Sequence, residues 1–492
     1  MRLPPSTPSL VRLDRRAFLR GAALAGMGAA LPGLLSGCGN VSEPIGPLEV
    51  DPAQPWWLQN NFAPVADEIE VFDLEIRGAL PPELNGFFIR NGSNPRSGES
   101  PHWFMGDGML HSVHLEGGRA LSYRNRYVRT PLYEKGHSGL EGGLPLGGNN
   151  QSNVSVIWHG GKLLSSGEVG AGYAIDPNDL STIGVHDFDG AVTTSFTAHA
   201  KIDPATGYMH FFGYWFAPPY LTYLVADATG RVIHRQEIPV RSGTMMHSFA
   251  ITESDVIFWE LPVLFDFAGI AVHGFPFLWN EDYGARVGVM PLGGEASQIR
   301  WAEIPPCYVF HELNAYRDGG EIVIDVCRYP RMMDGELFGT YEPHLHRWRI
   351  DTAGAALSFR DEILEGELIS EFPVHDRRFS GRQHRHGWFA EPRRYAETID
   401  VGGVVHRDFA TGRLTSWDPG LAIGAGELFF VPGGPGEGEG WLLSYIYDRS
   451  RSESRVAVLD ATNVRRGPVA EIVLPQRVPH GFHGCWVPGT LV

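Results

Sequence analysis

Four histidines in short, strand-like runs are the residues of this chain whose type and setting point most clearly to chemistry. They are His199 in Thr-Ala-His-Ala-Lys, His247 in Met-Met-His-Ser-Phe, His311 in Val-Phe-His-Glu-Leu, and His483 near the carboxyl end. Imidazoles hold a borderline divalent metal without thiolates, and neutral ligands leave the charge of the metal on the site. We therefore predict a four-histidine metal site whose chemistry suits ferrous iron with an open position for O2.

The last of these histidines lies in a tail rich in turn formers. The run Val478–Pro488 contains His480 and His483, several glycines and prolines, and Trp486. A frayed chain end is usually made of small polar residues and is not tied to the body of the protein. We expect this tail to be ordered and to bring the fourth histidine to the site.

Two further histidine pairs have spacings that could place both rings on one face of a strand. They are His344 with His346, and His384 with His386. Both pairs lie among arginines, so we predict that they are exposed to solvent. His311-Glu312 is not the start of a zincin motif, because no second histidine follows at position 315. With 20 histidines in the chain, local context alone does not separate a ligand from a histidine that binds nothing.

Three glutamates lie in runs that otherwise contain turn formers and apolar residues. They are Glu168 in Ser-Gly-Glu-Val-Gly, Glu371 in Ser-Glu-Phe-Pro, and Glu427 in Gly-Glu-Leu-Phe-Phe. A buried carboxylate needs a partner, and metal-bound imidazoles usually donate their other N–H to a carboxylate or carbonyl. From these residues alone, each glutamate is better explained as an exposed acid at the end of a strand.

The elements that must position these side chains read as short strands. The 492 residues include 61 Gly and 36 Pro, and 11% of them are aromatic, a mixture that favours many strands joined by turns. The clearest strands are 86–90, 154–158, 209–215, 256–259, 321–326 and 441–447. This spacing is typical of a sandwich, barrel or propeller, and roughly 430 residues in blades of about 60 would make about seven blades. No amphipathic helix of ordinary length is predicted, and the net charge of −17 argues against a nucleic-acid partner.

Two apolar stretches are longer than the other predicted strands. Leu261–Trp279 and Tyr214–Tyr220 consist mostly of aromatic, aliphatic and proline residues. Each is explained either as a buried insertion in the core or as part of an apolar substrate entrance or membrane-facing surface. The residues alone leave both interpretations open.

The amino terminus has the features of a targeting segment. Paired arginines in Asp14–Arg20 resemble a twin-arginine export signal, and the apolar run that follows is too short to span a membrane. Leu35-Ser-Gly-Cys38 resembles a lipobox, so we expect cleavage after residue 37 and lipidation of Cys38. Removal of five Arg and one Asp would change the net charge from −17 to −21. The expected product is a lipoprotein anchored on the periplasmic face of a membrane, with a tether over 38–58 and a body over 59–492.

The cysteines predict no disulfide framework. With Cys38 lipidated, Cys307, Cys327 and Cys485 remain, which is an odd number. A single bridge between Cys307 and Cys327 is compatible with export but is not implied by the sequence.

Ten short blocks, taken in order, resemble the motifs of the carotenoid cleavage oxygenases. The resemblance runs from about residue 60 to the end of the chain; each block is weak alone, but their order is specific. The blocks are Asn61–Val65, Arg90–Pro95, His102–His111, Tyr123–Thr130, Ala198–Pro204, Met246–Thr252, Phe310–Tyr316, Glu371–Pro373, Gly426-Glu427 through Tyr447-Asp448, and Pro479–Gly484.

The resemblance implies an all-β fold, a seven-bladed β-propeller with an apolar loop dome over an Fe(II) ion on its axis. The ligands would be His199, His247, His311 and His483, whereas His480 is not at the ligand position. Glu168, Glu371 and Glu427 would orient three of the four histidines. Two positions depart from the family pattern: Met105 stands where the family usually has Asp, and Val154 stands near the sixth position of the iron, where the family often has Thr.

The activity implied is that of an Fe(II)-dependent dioxygenase with one iron per subunit and O2 as co-substrate. It would cleave a conjugated carbon–carbon double bond of a carotenoid or apocarotenoid to carbonyl products, and the lipid anchor would hold it near such a substrate. No side chain is assigned as a catalytic acid, base or nucleophile. One alternative is cleavage of a stilbene-type phenolic alkene, which would need polar groups such as Tyr123, Tyr133 and Lys135 aimed at the phenol. Another is a propeller that isomerises a polyene or only binds one.

Overall fold

Seven antiparallel sheets of four to six strands, the blades of a β-propeller, form the body of the computed structural model. The structure describes residues 48–489, apart from 138–142, 144, 271–273, 335–340 and 396–397. The predicted export signal, the lipobox with Cys38 and most of the predicted tether therefore lie outside the described residues. The predicted all-β fold and the seven blades are confirmed.

The strands are short and follow one another in chain order. The first seventeen are β1 Glu70–Phe72, β2 Ile76–Gly78, β3 Gly86–Ser93, β4 Gly108–Glu116, β5 Arg119–Tyr127, β6 Ser155–His159, β7 Lys162–Ser166, β8 Gly172–Ile175, β9 Thr182–His186, β10 Lys201–Ile202, β11 Met209–Tyr214, β12 Leu221–Ala226, β13 Val232–Glu237, β14 Ala250–Ile251, β15 Asp255–Glu260, β16 Val263–Phe265 and β17 Phe277–Trp279. The remaining strands are β18 Ala285–Pro291, β19 Arg300–Ile304, β20 Tyr308–Asp318, β21 Glu321–Tyr329, β22 His344–Asp351, β23 Ser358–Ile369, β24 Glu371–Val374, β25 His386–Tyr395, β26 Thr398–Asp408, β27 Arg413–Trp417, β28 Ile423–Gly424, β29 Phe429–Pro432, β30 Gly440–Asp448, β31 Glu453–Asp460, β32 Pro468–Val473 and β33 Gly484–Pro488. All six strands predicted from the sequence lie within or overlap these elements.

The blades are numbered I to VII from the amino-terminal end. Blade I has the order β1-β5-β4-β3-β33, and blade VII has the order β2-β32-β31-β30-β28, with β29 also on β30. Blades II, III, V and VI are β6–β9, β10–β13, β20–β23 and β24–β27, and blade IV is β14-β15-β18-β19. Blades I and VII thus each combine strands from both ends of the described chain, which closes the ring.

Helical structure is scarce in the described residues, as predicted. The α-helix α1, Pro131–Lys135, is a single turn capped by the Thr130 hydroxyl. The 3-10 helices are Trp56–Leu58, Asn60–Phe62, Trp103–Met105, Glu281–Tyr283, Ala296–Gln298, Arg377–Phe379 and Val464–Arg466. No helix in this part of the chain is both long enough and apolar enough to cross a membrane.

The carboxyl tail is ordered because it is the last strand of blade I. Strand β33 pairs antiparallel with β3, with Gly484 opposite Arg90. Ahead of it, the Phe482 N–H donates to the Asn91 carbonyl at 2.9 Å, and the Asn91 N–H donates to the His483 carbonyl at 3.1 Å. A Cβ on Gly92 would lie 2.8 Å from the Gly481 Cα, so the two backbones approach as closely as only glycine allows.

The histidine pairs predicted to be exposed are not exposed. His384 is 4% exposed, and its Nε2 lies 3.1 Å from an Asp325 carboxylate oxygen. His344, His346 and His386 are half-buried. The prediction was wrong because Arg347, one of the arginines that suggested exposure, is itself ion-paired inside the blade, on Asp325 at 2.8 Å.

Three cysteines, Cys307, Cys327 and Cys485, are buried free thiols. Burial raises the pKa of the Cys307 and Cys485 thiols to about 12. These thiols are therefore protonated at ordinary pH and behave as small apolar core residues.

Candidate metal centre

Seven polar residues converge on the propeller axis, one from each blade. In blade order, from I to VII, they are His483, Glu168, His199, His247, His311, Glu371 and Glu427. These are the seven residues that the sequence analysis singled out. The ring closure of the propeller is therefore what brings together side chains spread over more than 300 positions.

The local backbone explains why each histidine points inward. His199, His247 and His483 lie in the connections just before β10, β14 and β33, which are terminal strands of their blades. His311 lies within β20, where the pairing with β21 shifts register between Val309 and Glu312. Such an irregularity re-aims a side chain that regular strand alternation would otherwise direct elsewhere.

The four imidazoles form one compact cluster. The Nε2 atoms of His199 and His247 are 2.9 Å apart, and those of His247 and His311 are 3.3 Å apart. One nitrogen from each of the four rings lies within 4.8 Å of the others, and this is the single such group of metal-ligating side chains in the described part of the chain. His480 is not part of the cluster, as predicted; its N–H bonds to the Asn61 carbonyl at 2.7 Å.

A glutamate holds the outer nitrogen of three of these rings. The Nδ1 atoms of His247, His311 and His483 lie 2.9, 2.5 and 2.8 Å from oxygens of Glu168, Glu371 and Glu427, respectively. An ionised carboxylate only accepts, so the Nδ1 that faces one carries the proton, and in the neutral ring the Nε2 lone pair then faces the axis.

Converging lone pairs are the observation that makes this cluster a candidate metal site. Two neutral Nε2 lone pairs 3.3 Å apart repel each other unless a cation lies between them. A metal about 2.1 Å from each of two nitrogens at a right angle places those nitrogens about 3 Å apart. The separations of 2.9 and 3.3 Å fit that arrangement. The donor set, all imidazole with carboxylates behind it, suits a divalent first-row metal such as iron, copper, nickel or zinc.

Burial keeps the His199 and His311 rings neutral. Burial, together with the neighbouring imidazoles, lowers the pKa of His199 and of His311 well below the usual value. Burial raises the pKa of Glu371 to about 7, against the opposing effect of hydrogen bonds from the Phe372 N–H and the Tyr329 hydroxyl. The Phe372 N–H reaches a Glu371 oxygen at 2.7 Å from a left-handed backbone conformation, φ +47°. Strain of this kind is typical of a functional site.

An apolar cavity, here called the upper cavity, opens on one side of the cluster. It is lined by His247, His311 and His483 and by a wall of aromatic and aliphatic side chains that includes Trp103, Phe104, Val169, Trp215, Phe216, Met245, Phe265, Phe267, Phe275, Phe277, Phe310, Phe372 and Phe482. No described lysine or arginine lines it. Both apolar stretches of the sequence contribute to this wall, and the longer one folds into the β16–β17 hairpin.

The positions that depart from the family pattern also line this cavity. Val154 is buried there, and its carbonyl accepts the His483 N–H at 3.0 Å, so it lies directly beside the cluster. Met105 lines the same wall. By contrast, Tyr123, Tyr133 and Lys135 are not among the lining residues. Tyr123 hydrogen bonds to His111 at 2.8 Å, and Lys135 is exposed on α1.

A second cavity, here called the lower cavity, lies against the other side of the cluster. Its lining includes His199, His311 and His483, but its remaining residues are much more polar, among them Lys201, Glu312, His375, Arg377, Arg378 and Glu427. The two cavities thus share ligands and differ in chemistry.

Sequence reasoning missed three polar residues next to the ligands. Lys201 is ion-paired with Glu312, and the Ser248 hydroxyl donates to the other Glu312 oxygen at 2.5 Å. All three lie inside motif blocks that resembled the family. Their adjacency to His199, His247 and His311 is the signal that could have drawn attention to them.

The chain matches the family model described as retinal pigment epithelial membrane protein over residues 62–488. It is 34% identical to a carotenoid cleavage oxygenase of Mycobacterium tuberculosis and 33% identical to an isoeugenol monooxygenase of Pseudomonas nitroreducens; each alignment covers 88% of this chain and 98% of the relative. The crystal structure of a lignostilbene dioxygenase from Pseudomonas brassicacearum superposes with a TM-score of 0.81 at 30% identity, covering 89% of this chain and 99% of that one.

The fold and the site define a class of β-propellers whose axis carries four histidines backed by three glutamates. On these matches, the chain belongs to the family of retinal pigment epithelial membrane protein and the carotenoid cleavage oxygenases.

Proposed function

We propose that this protein is an Fe(II)-dependent dioxygenase, with one iron per subunit and O2 as co-substrate. It cleaves a conjugated carbon–carbon double bond of a carotenoid or apocarotenoid to two carbonyl products. The observation that carries the proposal is the position of three of the four converging imidazoles at the wall of an apolar, aromatic cavity without lysine or arginine among its described lining. Such a cavity suits a long neutral polyene, since binding is driven by the burial of apolar surface.

The residues of the chain have separate tasks in this proposal. His199, His247, His311 and His483 hold the metal, and Glu168, Glu371 and Glu427 fix the orientation of three of these rings. Bound iron supplies the reactivity with O2 that amino-acid side chains lack. The aromatic wall excludes water and holds the alkene by shape. Val154 presents no hydroxyl beside the cluster, so it neither donates nor accepts a proton there.

Cleavage of a phenolic alkene is the second candidate, because the lignostilbene and isoeugenol enzymes are relatives. Tyr123, Tyr133 and Lys135, the residues named as candidates for this reaction, are absent from the described lining of the upper cavity. The tyrosine in that lining, Tyr329, hydrogen bonds to Glu371. A neutral polyene therefore fits the cavity better than a phenol does.

The test is to load the purified protein with Fe(II) and offer β-carotene, an apocarotenal, resveratrol and isoeugenol in air. Aldehyde products are followed by chromatography. We expect cleavage of a carotenoid or apocarotenoid, and none by a His247→Ala variant. Aldehyde only from resveratrol or isoeugenol would reassign the substrate, and isomerised polyene without aldehyde would reassign the reaction. No conversion of any of them by the iron-loaded protein would refute the proposal.

We also propose that the chain is exported by the twin-arginine route and anchored through lipidated Cys38 at the periplasmic face of a membrane. The paired arginines and the Leu35-Ser-Gly-Cys38 run support this. In a host with that export route, we expect the protein in the membrane fraction. A Cys38→Ser variant should lose lipid incorporation, and a variant with Arg15 and Arg16 replaced by Lys should stay in the cytoplasm.

A further inference from the structure

His199 differs from the other three candidate ligands in what holds it. Glutamates hold His247, His311 and His483 at Nδ1, but in the described part of the chain no carboxylate reaches the Nδ1 of His199. The ring also precedes β10, a strand of two residues, and it is only half-buried. A hydrogen bond from the ring to a glutamate therefore does not fix its direction, as it does for the other three.

A closed triangle of polar side chains lies directly behind this segment. The Lys201 ammonium is ion-paired with Glu312 and also donates to the Ser248 hydroxyl at 3.3 Å. The Ser248 hydroxyl donates to the second Glu312 oxygen at 2.5 Å. The side chains of Lys201 and Glu312 are 20% and 5% exposed, so solvent screens their attraction little.

The triangle joins three neighbouring blades at the positions that carry ligands. Lys201 follows His199 by two residues in blade III, Ser248 directly follows His247 in blade IV, and Glu312 directly follows His311 in blade V. Each member of the triangle is within two residues of a histidine. The triangle therefore links the three segments that carry His199, His247 and His311.

We propose that Lys201, Glu312 and Ser248 form an interblade clamp that positions His199 for metal binding in place of a glutamate. The proposal rests on the proposed metal site but adds the device that orients His199, the candidate ligand that no glutamate holds. A buried ion pair is often neutral for stability, because desolvation offsets the attraction. Its effect here is on geometry: without it, the two-residue β10 is free to move His199 relative to the other ligands.

The test measures metal retention rather than activity. Wild type, Lys201→Met and Ser248→Ala proteins are loaded with Co(II), whose visible spectrum reports ligand geometry, and are then challenged with a chelator. Outer hydrogen-bond partners change metal affinity by about 10- to 100-fold when they are removed. We expect metal loss about 10-fold faster or more in Lys201→Met, several-fold faster in Ser248→Ala, and an altered Co(II) spectrum in both. Lys201→Arg, which keeps the cation, should restore part of the retention.

Asp325→Asn is the matched control. Asp325 lies in blade V, as Glu312 does. It is fully buried and ion-paired with Arg347, but it does not contact a candidate metal ligand. The Asp325→Asn substitution should lower the thermal unfolding temperature and leave the Co(II) spectrum and the rate of metal loss unchanged. If Lys201→Met does not fold, Ser248→Ala and Glu312→Gln decide the outcome. If the folded clamp variants retain Co(II) and show its spectrum as the wild type does, the clamp proposal is wrong. If the wild type does not bind metal, the proposed metal site itself is wrong.

Discussion

The two cavities on either side of the histidine cluster share His311 and His483, yet their walls are opposites. The upper cavity is lined almost entirely by aromatic and aliphatic residues, whereas the lower one presents Lys201, Glu312, Arg377 and other polar groups. The comparison indicates that one side of the cluster faces the substrate cavity and that the other side faces the polar residues next to the ligands. Apolar walls bind a polyene without competing hydrogen bonds, and polar walls satisfy the charged groups that hold the ligands.

The largest effect should come from removing the centre that both cavities share. His247→Ala or His483→Ala takes away one nitrogen and leaves a glutamate without its partner, so we expect loss of stoichiometric iron and of all product formation. Elemental analysis and product chromatography check this. His346→Ala is the control, because that ring bonds to Asp361 at 2.7 Å, away from the cluster, and should keep full iron. Full iron and activity in His247→Ala would contradict the site.

Acid should act on the wall of the upper cavity through His102. This ring stacks on Phe275 with centroids 4.2 Å apart, and burial lowers its pKa to about 3. Below about pH 6.5 the unfolded chain takes up a proton that the folded chain does not, so stability falls with falling pH until the folded pKa is reached. Between pH 6.5 and 4 the loss from this residue is at most about 3 kcal/mol.

Urea unfolding at a series of pH values measures this acid sensitivity. His102→Asn keeps an oxygen that can accept from the Phe104 N–H, as the His102 ring does at 3.1 Å, and it removes the titrating group. We expect a shallower decline in unfolding free energy below pH 6.5 in this variant. If the slope of unfolding free energy against pH is unchanged, protonation of His102 is not the cause of the loss of stability in acid.

A charge at the edge of the upper cavity should weaken substrate binding only. Phe267 lines that cavity and is 44% exposed, so Phe267→Asp should fold normally. Loss of its apolar contact should raise KM for an apocarotenal by about 5- to 10-fold, corresponding to about 1–1.4 kcal/mol. Phe72→Asp, at a site that is 64% exposed and outside the cavity lining, should leave KM unchanged. Equal KM values in both variants would contradict the assignment of the upper cavity to the substrate.

The smallest effect should come from Arg377, a residue of the lower cavity that is not part of the clamp. Arg377 lines it, with its guanidinium 4.6 Å from the centre of the Phe429 ring and without an ion pair to the described carboxylates. We expect Arg377→Met to leave both KM and iron content within about twofold of wild type. A large rise in KM, measured by steady-state kinetics, would mean that the substrate reaches the metal from the polar side.

Much of this site was predictable because its chemistry lies in local motifs. His199, His247, His311 and His483 each sit in a short block, and turn signals marked the strands that carry them. The clamp was not predictable, because the pairing of Lys201 with Glu312 depends on which blades are neighbours. The exposure predicted for His384 failed for the same reason, since its partner Asp325 lies 59 positions earlier on another strand.

The pairing of β33 with β3 has a consequence for synthesis. A ribosome makes the chain from its amino end, so β3 of blade I can pair with β33 only after every other described strand has been translated. His483 emerges with that strand, and the ring and the metal site are completed together. A chain that terminates before residue 483 therefore lacks both the closing strand of blade I and the fourth histidine of the cluster. The order of translation thus acts as a check on which copies of the protein complete the four-histidine cluster.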